Sequence, residues 1–568
     1  MTRWALTRRR RKYWTFTGTV LLFLILVLTT VYSHNDFQAA GFLAKNDLSK
    51  RERNPMASQH AVLWRSLFDL ILNNDPRCSK KPELVVPQTM RLPYHPDRPR
   101  RRPDVLWMDQ FDVERMKVAH ANFVSDLKAL PSSLAHKPGT RGIVVTTAES
   151  LFNVLAVSLH MLRKTSSDLP VEIFLTKPTP YTENYCLRVF QPLGARCRYY
   201  SDVFDLAGTK IKPNAFQYKV VSILFSSFEQ VLFLDPDAWP LADPEALFHS
   251  LPFTESGLVF WPDFWYMSES PYFFDVARIT AIPDLDERPA TETSVMLYDK
   301  TKHANSLMLA AYYNYYGPEY YYLLQSQGGE GQGEKETFVW AATALNEPYY
   351  FVHQPVRALG HHDSLGEFIG TAMTQADPII DFFHTTSTAQ SGRRRNLNPP
   401  SQRILPNKDH SDSPSPLSPT LPEPISHSHQ PHSKSSYPRY TSSSSGSSSN
   451  IYTSKPLFIH ANIPKLDPTT VFDHTAPTHD SNGTHVRCWI SEPDALKTFG
   501  FDVEKRFWTA MQQVACQDLP ALNHNTEHGL LSRLAAKTTG QHRQKQKQDK
   551  TALKACDDVK AYTRAVFG

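Results

Sequence analysis

Apolar and polar positions along this chain fall into three regimes. The first is an uncharged run from Tyr13 to Tyr32. A helix of that length spans about 30 Å, the hydrocarbon thickness of a bilayer. Arg3, Arg8, Arg9, Arg10, Arg11 and Lys12 precede it, and positive charge on the leading side keeps that side cytoplasmic. The run is long for a cleaved signal peptide, and no small-residue cleavage site follows before Ser33-His34-Asn35-Asp36. A single transmembrane signal anchor (13–32) is therefore expected, with a cytoplasmic basic tail (1–12) and the rest of the chain lumenal.

The second regime begins at Arg141, where short apolar runs alternate with helical spacing. Gly142–Thr147, Val171–Leu175, Arg196–Tyr200 and Val231–Leu234 read as strands, and Ser150–Arg163, Tyr181–Phe190 and Pro213–Phe228 as helices. Gly257–Trp261 and Ser294–Tyr298 are further strands. Alternation of this kind predicts an α/β fold, a Rossmann-type, mostly parallel sheet with helices on both faces. The third regime lacks periodicity. Residues 33–137 read as a stem, with a short helix around Ala61–Leu72 and a basic, Pro-rich spacer from Arg91 to Pro103. Residues 385–454 shift to Ser, Pro, His and Thr, including the Ser442–Ser449 tract, and read as a disordered insertion. Apolar sequence resumes at Leu457-Phe458-Ile459, so one domain is expected over 138–384 and 455–534, followed by a basic tail at 535–568 that reads as a solvated or weakly ordered helix.

Composition narrows the class. The formal net charge is +5, less than the six basic residues ahead of the apolar run contribute, so the remainder is slightly acidic and carries no footprint for nucleic acid. None of the six cysteines forms a Cys-X-X-Cys pair, which disfavours a zinc site. An even count in a lumenal chain suggests disulfides, with Cys186–Cys197 and Cys488–Cys516 as near-neighbour guesses. Asn482-Gly483-Thr484 is an N-glycosylation sequon.

The chemistry centres on Asp235-Pro236-Asp237. It closes the Val231–Leu234 run, where Pro236 stops the strand, so both carboxylates lie at the carboxyl end of a strand, where open α/β sheets keep their ligand sites. Two carboxylates one residue apart suit Mg²⁺ or Mn²⁺, whose shell is completed by water and phosphate oxygens. A solvated strand-end turn would look the same. Upstream, Lys219 lies on a helix that feeds this strand, within reach of a diphosphate; it also reads as an ordinary solvated lysine. Downstream, Asp263 sits among aromatics, Glu292 precedes a strand, and a dense tyrosine run, Tyr312–Tyr322, reads mostly as helical core. Gly328–Gly333 is no P-loop, because Gly-Lys-Ser/Thr is missing, and it ends in Glu334-Lys335-Glu336 at a helix start. His460, at the end of Leu457–Ile459, is a candidate for the third ligand that the acidic pair lacks; a lone histidine at a strand end also reads as a satisfied structural residue.

Phe216–Phe228 with Val231–Pro240, then Gly257–Trp265, Tyr312–Tyr322, Gly328–Phe338 and Lys455–Lys465, together resemble the fungal Golgi α-mannosyltransferases of the Mnn type (glycosyltransferase family 71), nearest the α-1,2 branch. The resemblance covers roughly Gly142–Asp381 and resumes at Lys455–Pro468. It implies a GT-A-like fold, a Golgi type II membrane enzyme, GDP-mannose as donor, Mn²⁺ (or Mg²⁺), and retention of the α-anomer. Mannosylated glycoproteins are the implied acceptors, with α-1,2 favoured over α-1,3 transfer, and a Golgi transferase complex is an implied partner. It assigns Asp235, Asp237 and His460 to the metal, Lys219, Thr146, Asp263 and Glu292 to the donor, and Glu334 and Glu336 to catalysis. The chain departs from the family at Ala238, where Asn is more frequent, at Glu292-Thr293-Ser294-Val295 in place of Glu-Ser-Gly-Gln, and at Glu334 in place of Asp.

Two rivals stand beside it. An aspartate-nucleophile phosphatase also uses a strand ending in Asp-X-Asp, but it needs a small Thr or Val where Trp239 stands. A non-catalytic Golgi scaffold or mannan-binding protein with a degenerate site is the other.

Overall fold

Short runs of β-branched and aromatic residues become strands here because they are buried on both faces, the environment of a parallel sheet. The computed structural model describes residues 54, 56–86, 92–130, 134–209, 216–363, 366–390, 455–473, 477–480, 482–523 and 541–568. The expected anchor and the tract 391–454 lie outside them. Among the described residues no helix is long and apolar enough to cross a membrane. The chain divides into two compact units, 1–57 and 58–568. The first is described only at Asn54, Met56 and Ala57, and every strand lies in the second.

In chain order, strands β1 (Lys137–Thr146), β2 (Val171–Leu175), β3 (Ala195–Tyr199) and β4 (Phe228–Leu234) begin the main sheet. Strand β5 (Ala238–Pro240) leaves it, and β6 (Leu258–Tyr266), β7 (Pro289–Asp299) and β8 (Tyr350–Phe351) complete it. The order is β8-β6-β7-β4-β1-β2-β3. Only β7 runs against its neighbours, so the sheet is mostly parallel, as the alternation predicts. Strands β9 (Arg357–His362), β10 (Phe368–Ala376) and β11 (Pro456–His460) join β5 in a second, antiparallel sheet, order β9-β10-β11-β5.

Helices α1 (Ala57–Asn73), α2 (Gln110–Asp126), α3 (Phe152–Arg163), α4 (Gln217–Phe225), α5 (Ala304–Tyr315), α6 (Lys335–Ala344), α7 (Val503–Gln513) and α8 (Gln541–Phe567) surround the sheets. Alternation along the strands divides the core. Ile143, Val145, Leu232 and Leu234 pack in one cluster with Leu155, Leu159 and Leu162 of α3. Phe233, on the opposite face, lies under the Lys219 ammonium of α4, 5.2 Å from the ring centroid. Helices therefore cover both faces. The tyrosine run is core, with Tyr312, Tyr313 and Tyr321 fully buried.

Three expectations are corrected. First, the described part of the stem is fastened to the domain. On α1, Trp64 packs edge-on against Phe225 and Arg65 donates to the Ala207 carbonyl. The Pro-rich stretch is no free spacer: Tyr94 N donates to Phe264 O, Tyr266 N to Leu92 O, and Arg102 pairs with buried Glu269 at 2.7 Å. Helix α2 was not expected at all. It is capped by Asp109, worth about 1 kcal/mol, and stacks Phe123 on Tyr312 at 4.3 Å. Second, Cys516 pairs with Cys556, not Cys488, which is a buried free thiol; Cys186–Cys197 forms as guessed. Third, the end of the chain is not a solvated tail. Ala552, Ala555, Val559 and Tyr562 make a buried stripe on α8, with the Tyr562 ring 4.1 Å from that of Trp508. The spacing of three or four residues is that of a packed helix face.

Candidate metal and donor site

The site forms where the chain passes from one sheet to the other. Asp235 follows the last residue of β4, its N–H held by the Ser294 carbonyl of β7 at 2.8 Å. A tight turn, Ala238 N to Asp235 O at 3.0 Å, then starts β5. Strand β5 pairs with β11 so that Ala238 faces His460, and Ala461 N donates to Asp237 O at 3.0 Å. One carboxylate thus ends the main sheet, the second adjoins the small sheet, and the imidazole comes from its partner strand. One ligand atom from each of Asp235, Asp237 and His460 lies within 4.8 Å of the others. His460 Nε2 is 3.4 Å from Asp237 Oδ1, and Nδ1, which lacks a hydrogen-bond partner, is 3.9 Å from Glu292 Oε1. Asp237 and His460 are buried and Asp235 is half-buried, so the group is open on one side. Carboxylate oxygens with one imidazole nitrogen and no thiolate suit a divalent cation, Mn²⁺ more than Mg²⁺ because of the nitrogen.

The surrounding charges set the protonation states. Burial pushes the Asp235 carboxyl up, and Lys219 only partly offsets it. Burial would do the same at Asp237, but His460 and Lys465 together hold it well below the usual carboxylate range. Burial lowers His460, yet Asp237, Glu292 and Asp235 outweigh it and raise the imidazole overall.

The structure brings most of the expected site residues together, in different roles. Lys219 does not stand free for a phosphate: its ammonium is 3.1 Å from Asp235, 2.8 Å from Glu334 and 3.0 Å from the Thr293 carbonyl. Glu334 accordingly lies in the site as the lysine's second anion. Asp263 is paired with Lys335 at 2.7 Å. That pair needs Gly331, at φ +72°, because a side chain there would run into the Lys335 stem. Glu292 accepts from Ser294 N at 2.7 Å behind His460. Thr146 ends β1 and accepts from the Tyr200 hydroxyl at 2.9 Å. Asn482 is exposed on a turn. The Lys465 ammonium bonds Asp237 Oδ2. Sequence reasoning gave it no role, although it stands five residues beyond His460.

Glu336 is engaged with β7. It is buried and accepts from Thr291 N at 2.6 Å and the Thr291 hydroxyl at 3.1 Å, so it holds that strand. Burial, helped by Glu269, pushes it up to about 7 from its ordinary value of 4.5. The folded state therefore keeps a proton that the unfolded chain loses, and stability falls as pH rises from the ordinary value toward 7. Glu336→Gln keeps an oxygen to accept from Thr291 N, turns the second bond around so that its amide donates to the Thr291 hydroxyl, and removes that slope. Urea unfolding at pH 5 and pH 8 should show the variant gaining on the order of 1–3 kcal/mol relative to the parent at the higher pH.

Ala238 also reads differently in place. It packs among Ile143, Val145, Leu155, Leu159 and Leu162 in the apolar layer behind the turn. Ala238→Asn would bury an amide there, with an expected cost of about 1–3 kcal/mol in unfolding free energy and no gain in activity.

The mannosyltransferase family Mannosyl_trans3 matches residues 140–288 and 280–377. The chain is 30% identical over 461 residues to the alpha-1,2-mannosyltransferase MNN21 of Candida albicans, covering 72% of this chain and 62% of that protein. It is 36% identical over 290 residues to alpha-1,2-mannosyltransferase MNN24 of the same organism, covering 45% and 40%. The chain thus spans less than two thirds of these relatives. Among solved structures, core-mannan synthase A from Aspergillus fumigatus in its Mn/GDP form is 10% identical, covering 38% of this chain and 72% of that one, at a TM-score of 0.23, too low to bear on the site. The two blocks that match the family contain Asp235, Asp237, Lys219, Glu292 and Glu334, and the chain belongs to the Mnn-type mannosyltransferase family.

Proposed function

We propose that this protein is a metal-dependent, retaining α-mannosyltransferase with a GT-A-like architecture. It would transfer mannose from GDP-mannose to mannose residues of glycoprotein glycans, in α-1,2 linkage, as a type II enzyme of the Golgi membrane. The observation that carries the chemistry is the Asp235–Asp237–His460 group at the joint of the two sheets. The relatives named α-1,2-mannosyltransferases support the sugar and the linkage. Two disulfides, Cys186–Cys197 and Cys516–Cys556, support an oxidising lumen.

Asp235, Asp237 and His460 would hold the cation. When bound, a divalent ion supplies charge neutralisation to a departing nucleoside diphosphate. The chain's own residues do the rest. Lys219, itself anchored on the Thr293 carbonyl, fixes the Asp235 carboxylate. Glu292 stands 3.9 Å beyond the far ring nitrogen of His460 and acts on the imidazole through its charge. Burial of Asp237 and His460 limits water at the reacting end. A transfer and hydrolysis assay with GDP-mannose and a mannoside acceptor, with and without Mn²⁺, tests the function. NMR of the product reads anomeric configuration and linkage. Absence of turnover together with absence of GDP binding would instead favour the scaffold.

A further inference from the structure

Lys465 makes a contact that a cation-binding group does not need. Its ammonium bonds Asp237 Oδ2 while Asp237 Oδ1 faces His460. The two ends of this pair differ sharply in environment. The Asp237 side chain is 2% exposed and the Lys465 side chain 44% exposed, so the lysine dips its head into the site from a solvated stem and can withdraw without disturbing the core. A divalent cation among the ligand atoms of Asp235, Asp237 and His460 would lie against that ammonium. Like charges at such a separation, away from bulk water, repel strongly. The displaced ammonium then finds the neighbouring carboxylates engaged: Asp235 and Glu334 hold Lys219, and Asp263 holds Lys335. A nucleoside diphosphate bound beside the cation offers the ammonium an anion that these paired carboxylates do not.

We propose that Lys465 couples the two ligands: its ammonium stands on Asp237 in place of the cation until a diphosphate draws it away. Cation and diphosphate then bind cooperatively, and the coupling resides in one side chain. This rests on the metal-dependent function proposed above.

Calorimetric titration of Mn²⁺ into the purified full-length protein, alone and with saturating GDP, tests it in the parent, Lys465→Met, Lys465→Arg and Asp237→Asn. Thermal melts establish that each variant is folded. GDP is expected to tighten Mn²⁺ binding by about tenfold or more in the parent, the size of a typical coupling between sites. Lys465→Met should bind Mn²⁺ alone about tenfold more tightly than the parent, and lose most of the GDP effect. Lys465→Arg, which keeps the charge, should behave as the parent. Unchanged or weaker Mn²⁺ binding in Lys465→Met, or an undiminished GDP effect, overturns the coupling while leaving the metal site intact. If the parent binds no Mn²⁺ with or without GDP, and Asp237→Asn changes nothing, the metal-dependent function itself fails and the coupling with it.

Discussion

The double variant Asp235→Ala/Asp237→Ala is expected to lose Mn²⁺-dependent transfer from GDP-mannose by about a thousandfold or more, because stabilising the charge on the leaving group lowers the barrier of such reactions more than most other effects do. The singles should separate. Without Asp235, Lys219 still has Glu334 at 2.8 Å and the Thr293 carbonyl at 3.0 Å. Without Asp237, both His460 and Lys465 lose their nearest anion, and His460 is buried. Breaking a buried ion pair from one side costs about 3–5 kcal/mol. Asp237→Ala should therefore be the less stable protein as well as an inactive one. The near-isosteric Asp→Asn variants separate the two effects, since they keep the volume and remove the charge. Full activity in the double variant would sink the metal assignment.

Lys219→Met should be the most destabilising single change near the site. The lysine is buried and satisfies two carboxylates, and their charges raise its affinity for the proton despite burial. Removing it leaves Asp235 and Glu334 facing each other without a counter-charge. The expected loss is about 3–5 kcal/mol, read by urea unfolding at pH 7. Adding Glu334→Gln removes that mutual repulsion, so the double variant should be more stable than the sum of the singles predicts, by on the order of 1–2 kcal/mol. Strict additivity would mean that the ion pair contributes nothing specific. Recovery of activity in the double variant would place Glu334 in support of the lysine; continued inactivity with stability restored would place it at the sugar.

The central sheet was legible because its signal is local. Val231–Leu234 reads as a buried strand closed by Pro236, and Val171–Leu175 is an apolar run broken only by Glu172. The acidic pair and His460 were legible for a related reason: strand ends collect ligands. What failed was long-range. Composition marks Arg91–Pro103 as a spacer, yet its backbone bonds lead to Phe264 and Tyr266, more than 150 residues away. The Lys- and Gln-rich stretch before Thr551 hid the stripe of Ala552, Ala555, Val559 and Tyr562. The partner of Cys516 depended on which helix α8 met. The roles of Lys219 and Glu336 could not be separated by residue type either, because each is decided by what faces it: two carboxylates for one, the Thr291 amide and hydroxyl for the other.

The pairing of Ala238 with His460 has a consequence for the order of assembly. During synthesis, Asp235 and Asp237 emerge more than 200 residues ahead of His460. The wall behind β5 comes later still: Trp239 packs against Trp489 and Phe507, and α8 closes over Trp508 only at Tyr562. Contacts of such long separation form slowly, after local structure has already condensed. A nascent chain therefore carries both acids before it has a cation seat, and cation uptake becomes a late event in its maturation. Cation binding would then serve as a marker of completed folding, distinguishing finished protein from folding intermediates that already contain every acidic residue of the site.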